Sequence, residues 1–186
     1  CGAIPENLAE SSLFGHERGA FTGAAEPGEG YFRAASGGTL FFDEVAELSP
    51  AIQTKLLRVL EDRQVTPVGS TRPVQVDVRV IAATNRDVDA LRKQGTLRDD
   101  LLYRLDVLRI AIPPLRSRPQ DIVELARRFL RELTGDPQAD LADDAAAALS
   151  AHAWPGNVRE LRNVLERSVA MGATGPVVRA DDLVGL

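Results

Sequence analysis

GTLFFDE, residues 38–44, sets a short apolar run, Leu40 to Phe42, directly against two adjacent acids, Asp43 and Glu44. Such a run reads as a strand buried on both faces, the kind found in parallel sheets. Downstream, ELSPAIQTKLLRVLEDR predicts a helix with Ser49 as N-cap, Pro50 at its first position, and Ile52, Leu56 and Leu60 spaced by four. VDVRVIAATN is a second β-branched run, and it too ends in a polar residue, Asn85. VLRIAIPPL reads as a third strand, stopped by Pro113 and Pro114. Strand, helix, strand, helix, strand is the pattern of an α/β sheet with crossover helices.

After Pro114 the pattern becomes purely helical. Ile122, Leu125, Ala126, Phe129, Leu130 and Leu133 form one apolar stripe. An alanine-rich helix is expected over Asp143 to His152. WPGN then makes a turn, with Asn157 placed to cap a helix from about Val158 to Ala170. The expected organisation is an α/β part over 1–114 and a small all-helical subdomain over 115–186. No internal repeat or low-complexity tract interrupts it.

The 186 residues are 44% hydrophobic and 26% charged, ordinary globular composition, with a net charge of −5. Acids outnumber bases in both parts, so a DNA-reading module is expected outside this chain. The single cysteine, Cys1, rules out a disulfide framework within the chain, and a reducing cytoplasm is the simplest home. No apolar stretch approaches the ~20 residues that cross a bilayer, so no membrane contact is expected.

Ligands of open α/β sheets sit beyond the carboxyl ends of the strands. Asp43, Glu44 and Asn85 would share that edge. Phosphoryl transfer to water needs a carboxylate for Mg²⁺, a group that orients the attacking water, and a polar sensor near the terminal phosphate. The three residues fit those roles in that order; the alternative is that they merely cap strand ends. In TLRDDLLYRLDV, Arg98 and Arg104 would point about 120° apart on a helix and so serve different targets. Surface pairing with Asp99, Asp100 and Asp106 is the competing reading for both. A solvated helix face would equally explain Arg159 and Arg162. Upstream, GAFTGA, Gly19 to Ala24, places a bare phenylalanine between two glycines. It is too flexible for a core element and too apolar for an ordinary solvated turn.

GAFTGA at 19–24, GGTLFFDE at 37–44, IAATN at 81–85, LRDDLLYRL at 97–105 and WPGNVREL at 154–161 follow one another along essentially the whole chain. Together they resemble the AAA+ domain of bacterial enhancer-binding proteins, the sigma-54-dependent transcriptional activators. GAFTGA is the most specific element, since other AAA+ ATPases lack it. The resemblance implies a P-loop NTPase core, partial here, with a helical lid. It also implies ATP and Mg²⁺ as cofactors, and hydrolysis coupled to remodelling of the sigma-54 RNA polymerase holoenzyme by a homo-oligomeric, hexameric ring.

By that resemblance Gly19, Ala20, Phe21, Thr22, Gly23 and Ala24 form the sigma-54 contact, with Phe21 the apolar tip and Thr22 its support. Asp43 stands where the family has its Walker B acid, which organises Mg²⁺ through water. Glu44 stands for the acid that activates water, and Asn85 for sensor I. Arg98 and Arg104 match arginines that reach the neighbouring subunit's nucleotide, and Arg159 matches the sensor II arginine of the lid. The implied nucleotide-binding set is Ala35, Ser36, Gly37, Gly38, Thr39, Leu40, Phe41, Phe42, Asp43 and Glu44, with Arg159.

The chain departs from the family in one large way. A P-loop needs GxxxxGK[ST], whereas the two lysines, Lys55 after Thr54 and Lys93 after Arg92, do not follow glycine. A fragment truncated before its first residue, and ending before the DNA-binding helices, is therefore expected. The alternative function is a non-enzymatic fragment that touches sigma-54 but cannot bind ATP. Arg33 stands where the family usually has an acid, which touches the link between nucleotide site and loop.

Overall fold

The computed structural model describes residues 5–173, 175 and 177–186; Cys1 lies outside them. Two compact units divide the chain, Cys1–Arg109 and Ile110–Leu186. The first runs α1 (Glu6–Phe14), α2 (Tyr31–Ala34), β1 (Thr39–Phe42), α3 (Pro50–Asp62), β2 (Gln64–Val65), β3 (Val74–Gln75), β4 (Arg79–Ala82), α4 (Val88–Lys93) and α5 (Asp99–Leu105). β1 pairs β4 in parallel, Thr39 with Arg79 through Phe42 with Ala82, and α3 lies between them in the chain. β2 and β3 form a short antiparallel pair.

Alternation along β1 sends Leu40 and Phe42 inward and Phe41 outward. Phe42 packs on Phe32 at 5.9 Å, and Phe32 stacks on Phe14 at 5.7 Å. Ile52, Leu56 and Val59 of α3 and Leu101 of α5 close the same core. α3 begins at Pro50, as the sequence predicts, but the Ser49 hydroxyl makes no cap bond; its carbonyl accepts the Gln53 amide at 2.9 Å.

Two expectations for this unit are corrected. β1 is not buried on both faces: Phe41 is 58% exposed and its register partner Ile81 45%. Among the described residues the sheet has two strands, and its outer face is about half exposed at this pair. Nor does VLRIAIPPL form a strand; residues 107–112 carry no regular structure, with Val107, Leu108, Ile110 and Ile112 exposed. A strand is a relation between segments, and apolar residues make one only where a neighbouring edge accepts their backbone.

The second unit is α6 (Pro119–Thr134), β5 (Asp140–Leu141), α7 (Asp143–Ala151), α8 (Asn157–Ala170) and β6 (Val177–Val178). Ile122, Ala126 and Leu130 bury the predicted stripe of α6 against Leu149, Leu161 and Leu165. To the helices the structure adds a two-residue parallel ladder, β5 with β6. Asn157 does not cap α8. It has φ 52°, and its Oδ1 accepts the Leu115 amide at 2.8 Å, while Glu160 Oε2 accepts the Gly156 amide at 2.7 Å.

Candidate functional site

At the carboxyl end of β1 the chain turns sharply. The Ala83 amide donates to the Phe42 carbonyl at 2.7 Å and the Val45 amide to the Ala83 carbonyl at 3.0 Å, carrying the ladder past its last registered pair. Glu44 is caught between them with φ 55° and ψ 52°. A left-handed non-glycine residue costs about 1–2 kcal/mol, and such conformations cluster at sites where the backbone must aim a side chain. Glu44 is half-buried and Asp43 exposed. On the neighbouring strand end Asn85 is exposed in a bend, where the Thr84 hydroxyl accepts the Arg86 amide at 3.2 Å. The Arg86 guanidinium reaches back to Glu47 at 3.3 Å. Asp87 then caps α4, accepting the Asp89 and Ala90 amides at 2.8 and 3.1 Å.

Asp43, Glu44 and Asn85 therefore share one edge. Ala35, Ser36, Gly37 and Gly38 do not join them: they precede β1, at its amino end, the length of the strand away, roughly 13 Å. There the Gly37 amide donates to the Asp77 carbonyl at 2.7 Å and the Ser36 hydroxyl accepts the Asp77 amide at 3.2 Å. Thr39, Leu40, Phe41 and Phe42 are the strand itself, with Phe42 buried and Phe41 exposed.

Among the described residues no three His, Cys, Asp or Glu side chains come together to hold a metal. Mg²⁺ binds through one or two carboxylates plus substrate phosphates rather than in an all-protein cage. A carboxylate exposed at a strand end, as Asp43 is, fits that requirement. Lys55 of α3 is paired with Glu10 of α1.

Arg98 stands just before α5 and Arg104 in its last turn, and the two serve different partners. The Arg98 guanidinium donates to both carboxylate oxygens of Asp100, at 3.0 and 2.7 Å, and to the Thr54 hydroxyl at 3.3 Å. The Arg98 hydrogen bond holds the Asp100 carboxyl below the usual carboxylate range. Arg104 donates from Nε and Nη2 to the Leu60 carbonyl at 3.3 and 3.1 Å, a cation at the carboxyl-terminal turn of α3. It lines a groove of about 240 Å³ with Arg63, Asp77 and Arg79. That groove lies by the amino end of β4, away from Asp43.

Sequence reasoning missed Gln53. Its buried amide donates to the Leu48 and Thr96 carbonyls at 2.8 and 2.9 Å, and its Oε1 accepts the Arg98 amide at 3.0 Å. A polar residue at a core position of the α3 stripe was the available signal. In the second unit Arg159 is exposed on the first turn of α8, behind a turn built on the fully buried Trp154, whose Nε1 donates to the Leu149 carbonyl at 2.8 Å.

The GAFTGA loop closes on itself. The Gly19 amide donates to the Ala24 carbonyl at 2.8 Å, and the Ala24 amide to the Phe21 carbonyl at 3.0 Å. Gly19 and Gly23 take φ 79° and 102°, while a Cβ on either would meet nothing within 4 Å, so backbone conformation and not space demands glycine here. Ala24 is buried, Ala20 half-buried, and Thr22 exposed. Phe21 is 38% exposed and rests on the His16 ring, centroids 5.0 Å apart.

The family model described as Sigma-54 interaction domain matches residues 1–111, and that described as AAA+ ATPase lid domain matches 116–185. Regulatory protein AtoC of Escherichia coli (strain K12) is 48% identical over 186 residues, 98% of this chain and 40% of that protein. The Nif-specific regulatory protein of Azotobacter vinelandii is 51% identical over 189 residues, covering 100% of this chain and 36% of the relative. The chain thus spans well under half the length of these relatives. Among solved structures, NtrX from Brucella abortus in complex with ADP superposes with a TM-score of 0.85 at 37% identity, over 98% of this chain and 41% of that one. A RuvB mutant from Thermotoga maritima, at 16% identity and a TM-score of 0.53 over 80% of this chain and 43% of its own, shares the fold alone. Among the described residues no helix is long and apolar enough to cross a membrane.

Proposed function

The chain belongs to the sigma-54 interaction domain family, with an AAA+ ATPase lid domain as its second part, and from that premise we propose that it couples ATP hydrolysis to remodelling of sigma-54 RNA polymerase in a bacterial transcription activator. Asp43 would hold Mg²⁺, Glu44 would take the proton of the attacking water, and Asn85 would donate to the terminal phosphate. Mg²⁺, when bound, neutralises charge on the phosphate oxygens. Arg98 and Arg104 act on the nucleotide of a neighbouring copy in a hexameric ring, and Arg159 reaches the nucleotide from the lid. The activator works in the cytoplasm and reads DNA through another domain. That NtrX, 37% identical, was solved with ADP and with ATP supports the nucleotide part of this reading.

Phe21 carries the partner part: an aromatic ring 38% exposed at the tip of a self-bonded glycine loop has no use in the core. The test is Phe21→Ala in the protein that carries this chain, with ATP turnover and open-complex formation by sigma-54 polymerase measured side by side. Activation should be lost and most of the turnover kept. Loss of both in equal measure would make Phe21 a residue of the fold and end this assignment.

One observation favours a second reading. No glycine-rich lysine loop occurs anywhere in the sequence, so these residues alone fit a sigma-54-contacting piece that does not turn over nucleotide.

A further inference from the structure

The loop tip does not project freely. The His16 imidazole packs against the Phe21 ring, 5.0 Å between centroids and tilted by 55°, a favourable aromatic geometry. His16 cannot follow Phe21 if the tip moves. Its amide donates to the Gly28 carbonyl and its carbonyl accepts the Gly28 amide, both at 2.9 Å. On either side of it the Glu17 amide donates to the Val68 carbonyl and the Val68 amide to the Gly15 carbonyl, again at 2.9 Å. Two strands of chain thus clamp the backbone that carries the imidazole.

The ring itself is closely confined. A Cβ on Gly28 would come within 2.4 Å of His16 Cε1 and 2.6 Å of Nδ1, so that edge of the imidazole is packed against bare backbone. Nδ1 is buried and has no hydrogen-bond partner among the described residues. Burying a polar nitrogen without a partner is unfavourable, and such a group calls for an explanation. Histidine here gives up a hydrogen bond and keeps a ring contact.

We propose that His16 is the positioning residue of the sigma-54 contact: its imidazole is the seat that covers one face of Phe21 and presents the other. This rests on the function proposed above and deepens it. A phenylalanine flanked by Gly19 and Gly23 would otherwise sample many orientations, and ordering it would weaken binding. Preorganisation on a fixed ring lowers that cost. His16 touches neither nucleotide nor partner; it acts through Phe21.

The test uses the whole activator. His16→Ala should reduce activation about two- to tenfold, the range one aromatic contact supplies, with ATP turnover staying within about twofold. His16→Phe, which keeps a ring, should recover most of the loss, and His16→Gln should not. Gly28→Ala, whose Cβ displaces the imidazole, should mimic His16→Ala. The double variant His16→Ala/Phe21→Ala should be no worse than Phe21→Ala alone, because the pair acts as a unit.

Additive effects, or full activation with His16→Ala while Phe21→Ala fails, would overturn the seat. So would equal loss of turnover and activation. If Phe21→Ala itself leaves activation intact, the sigma-54 reading falls first. A direct measurement keeps the proposal testable should His16 variants not fold. The ring protons of His16 should carry a ring-current shift that disappears in Phe21→Leu, and an unchanged shift removes the contact on which the proposal stands.

Discussion

The Val45 amide donates to the Ala83 carbonyl at 3.0 Å, three residues beyond Phe42 on one strand and one beyond Ala82 on the other, the last registered pair of β1 and β4. That bond fixes where the chain leaves β1 and leaves Glu44, just before it, in the left-handed region at φ 55°. The bond ties the carboxyl ends of the two strands into one edge. Glu44 is held beside the turn that carries Asn85 in a backbone conformation that costs a non-glycine residue about 1–2 kcal/mol.

Glu44 therefore separates fold from chemistry. In the activator that carries this chain, Glu44→Gln should keep nucleotide binding and slow hydrolysis by ~10²–10⁴, the usual share of a general base. Glu44→Gly should lose the same activity yet raise the melting temperature, since glycine relieves about 1 kcal/mol of left-handed strain. Turnover and thermal unfolding of both variants test this together. A Glu44→Gly protein that melts lower than its parent would mean that the side chain stabilises the turn.

Arg98 and Arg104 point at different groups of their own chain, Asp100 and the Leu60 carbonyl, so their proposed action across a subunit boundary has two separable parts. Arg98→Ala and Arg104→Ala should each lose turnover by a large factor, up to the ~10³–10⁵ that an arginine finger supplies. Mixed rings should recover activity, because a subunit with an intact arginine can serve a neighbour. If mixing never restores turnover, both arginines act within their own subunit.

What the sequence made legible follows from range. The run Leu40–Phe42 closed by Asp43 and Glu44 carries its own strand signal, and parallel pairing then sets Asn85 on the same edge. The α6 stripe was likewise readable, because its period lies within one element. His16, Gln53 and Asn157 were not. His16 matters through Gly28 and Val68, Gln53 through Thr96 and Arg98, and Asn157 through Leu115 in place of its own helix. No local pattern encodes those pairings. VLRIAIPPL failed for the converse reason: its composition suits a strand, but no neighbouring edge among the described residues receives it.

Acid should loosen the second unit at Asp140. Its Oδ1 accepts the Leu141 amide and the Arg127 Nε, each at 2.7 Å, and these bonds, the backbone one first, hold the carboxyl below its usual range. A carboxyl lowered by folding favours the native state above the unfolded value of about 3.9, and that stability is lost as pH falls through the lower folded value. Asp100 and Asp106, each lowered mainly by its arginine, act with the same sign. Asp140→Asn should thus lower the melting temperature at neutral pH and flatten its fall below about pH 4. A change in slope between pH 6 and 8, read by thermal unfolding, would point to some other group.

The last expectation concerns ATP and the chain as it stands. Asp43, Glu44 and Asn85 can meet a metal and a terminal phosphate, but most of the grip on a nucleotide comes from glycine-rich backbone amides, a lysine and a helix N-terminus. Lys55 is committed to Glu10, and Lys93 lies at the end of α4, so neither completes such a cradle. Phe41, Ile81, Val107 and Leu108 meanwhile leave apolar surface uncovered, which favours self-association. Titration calorimetry of the purified chain with Mg-ATP should give no binding at micromolar concentrations, and light scattering should show aggregation as concentration rises. Micromolar binding would mean that another part of the chain cradles the phosphates, and the first place to look would be the Ala35–Gly38 turn.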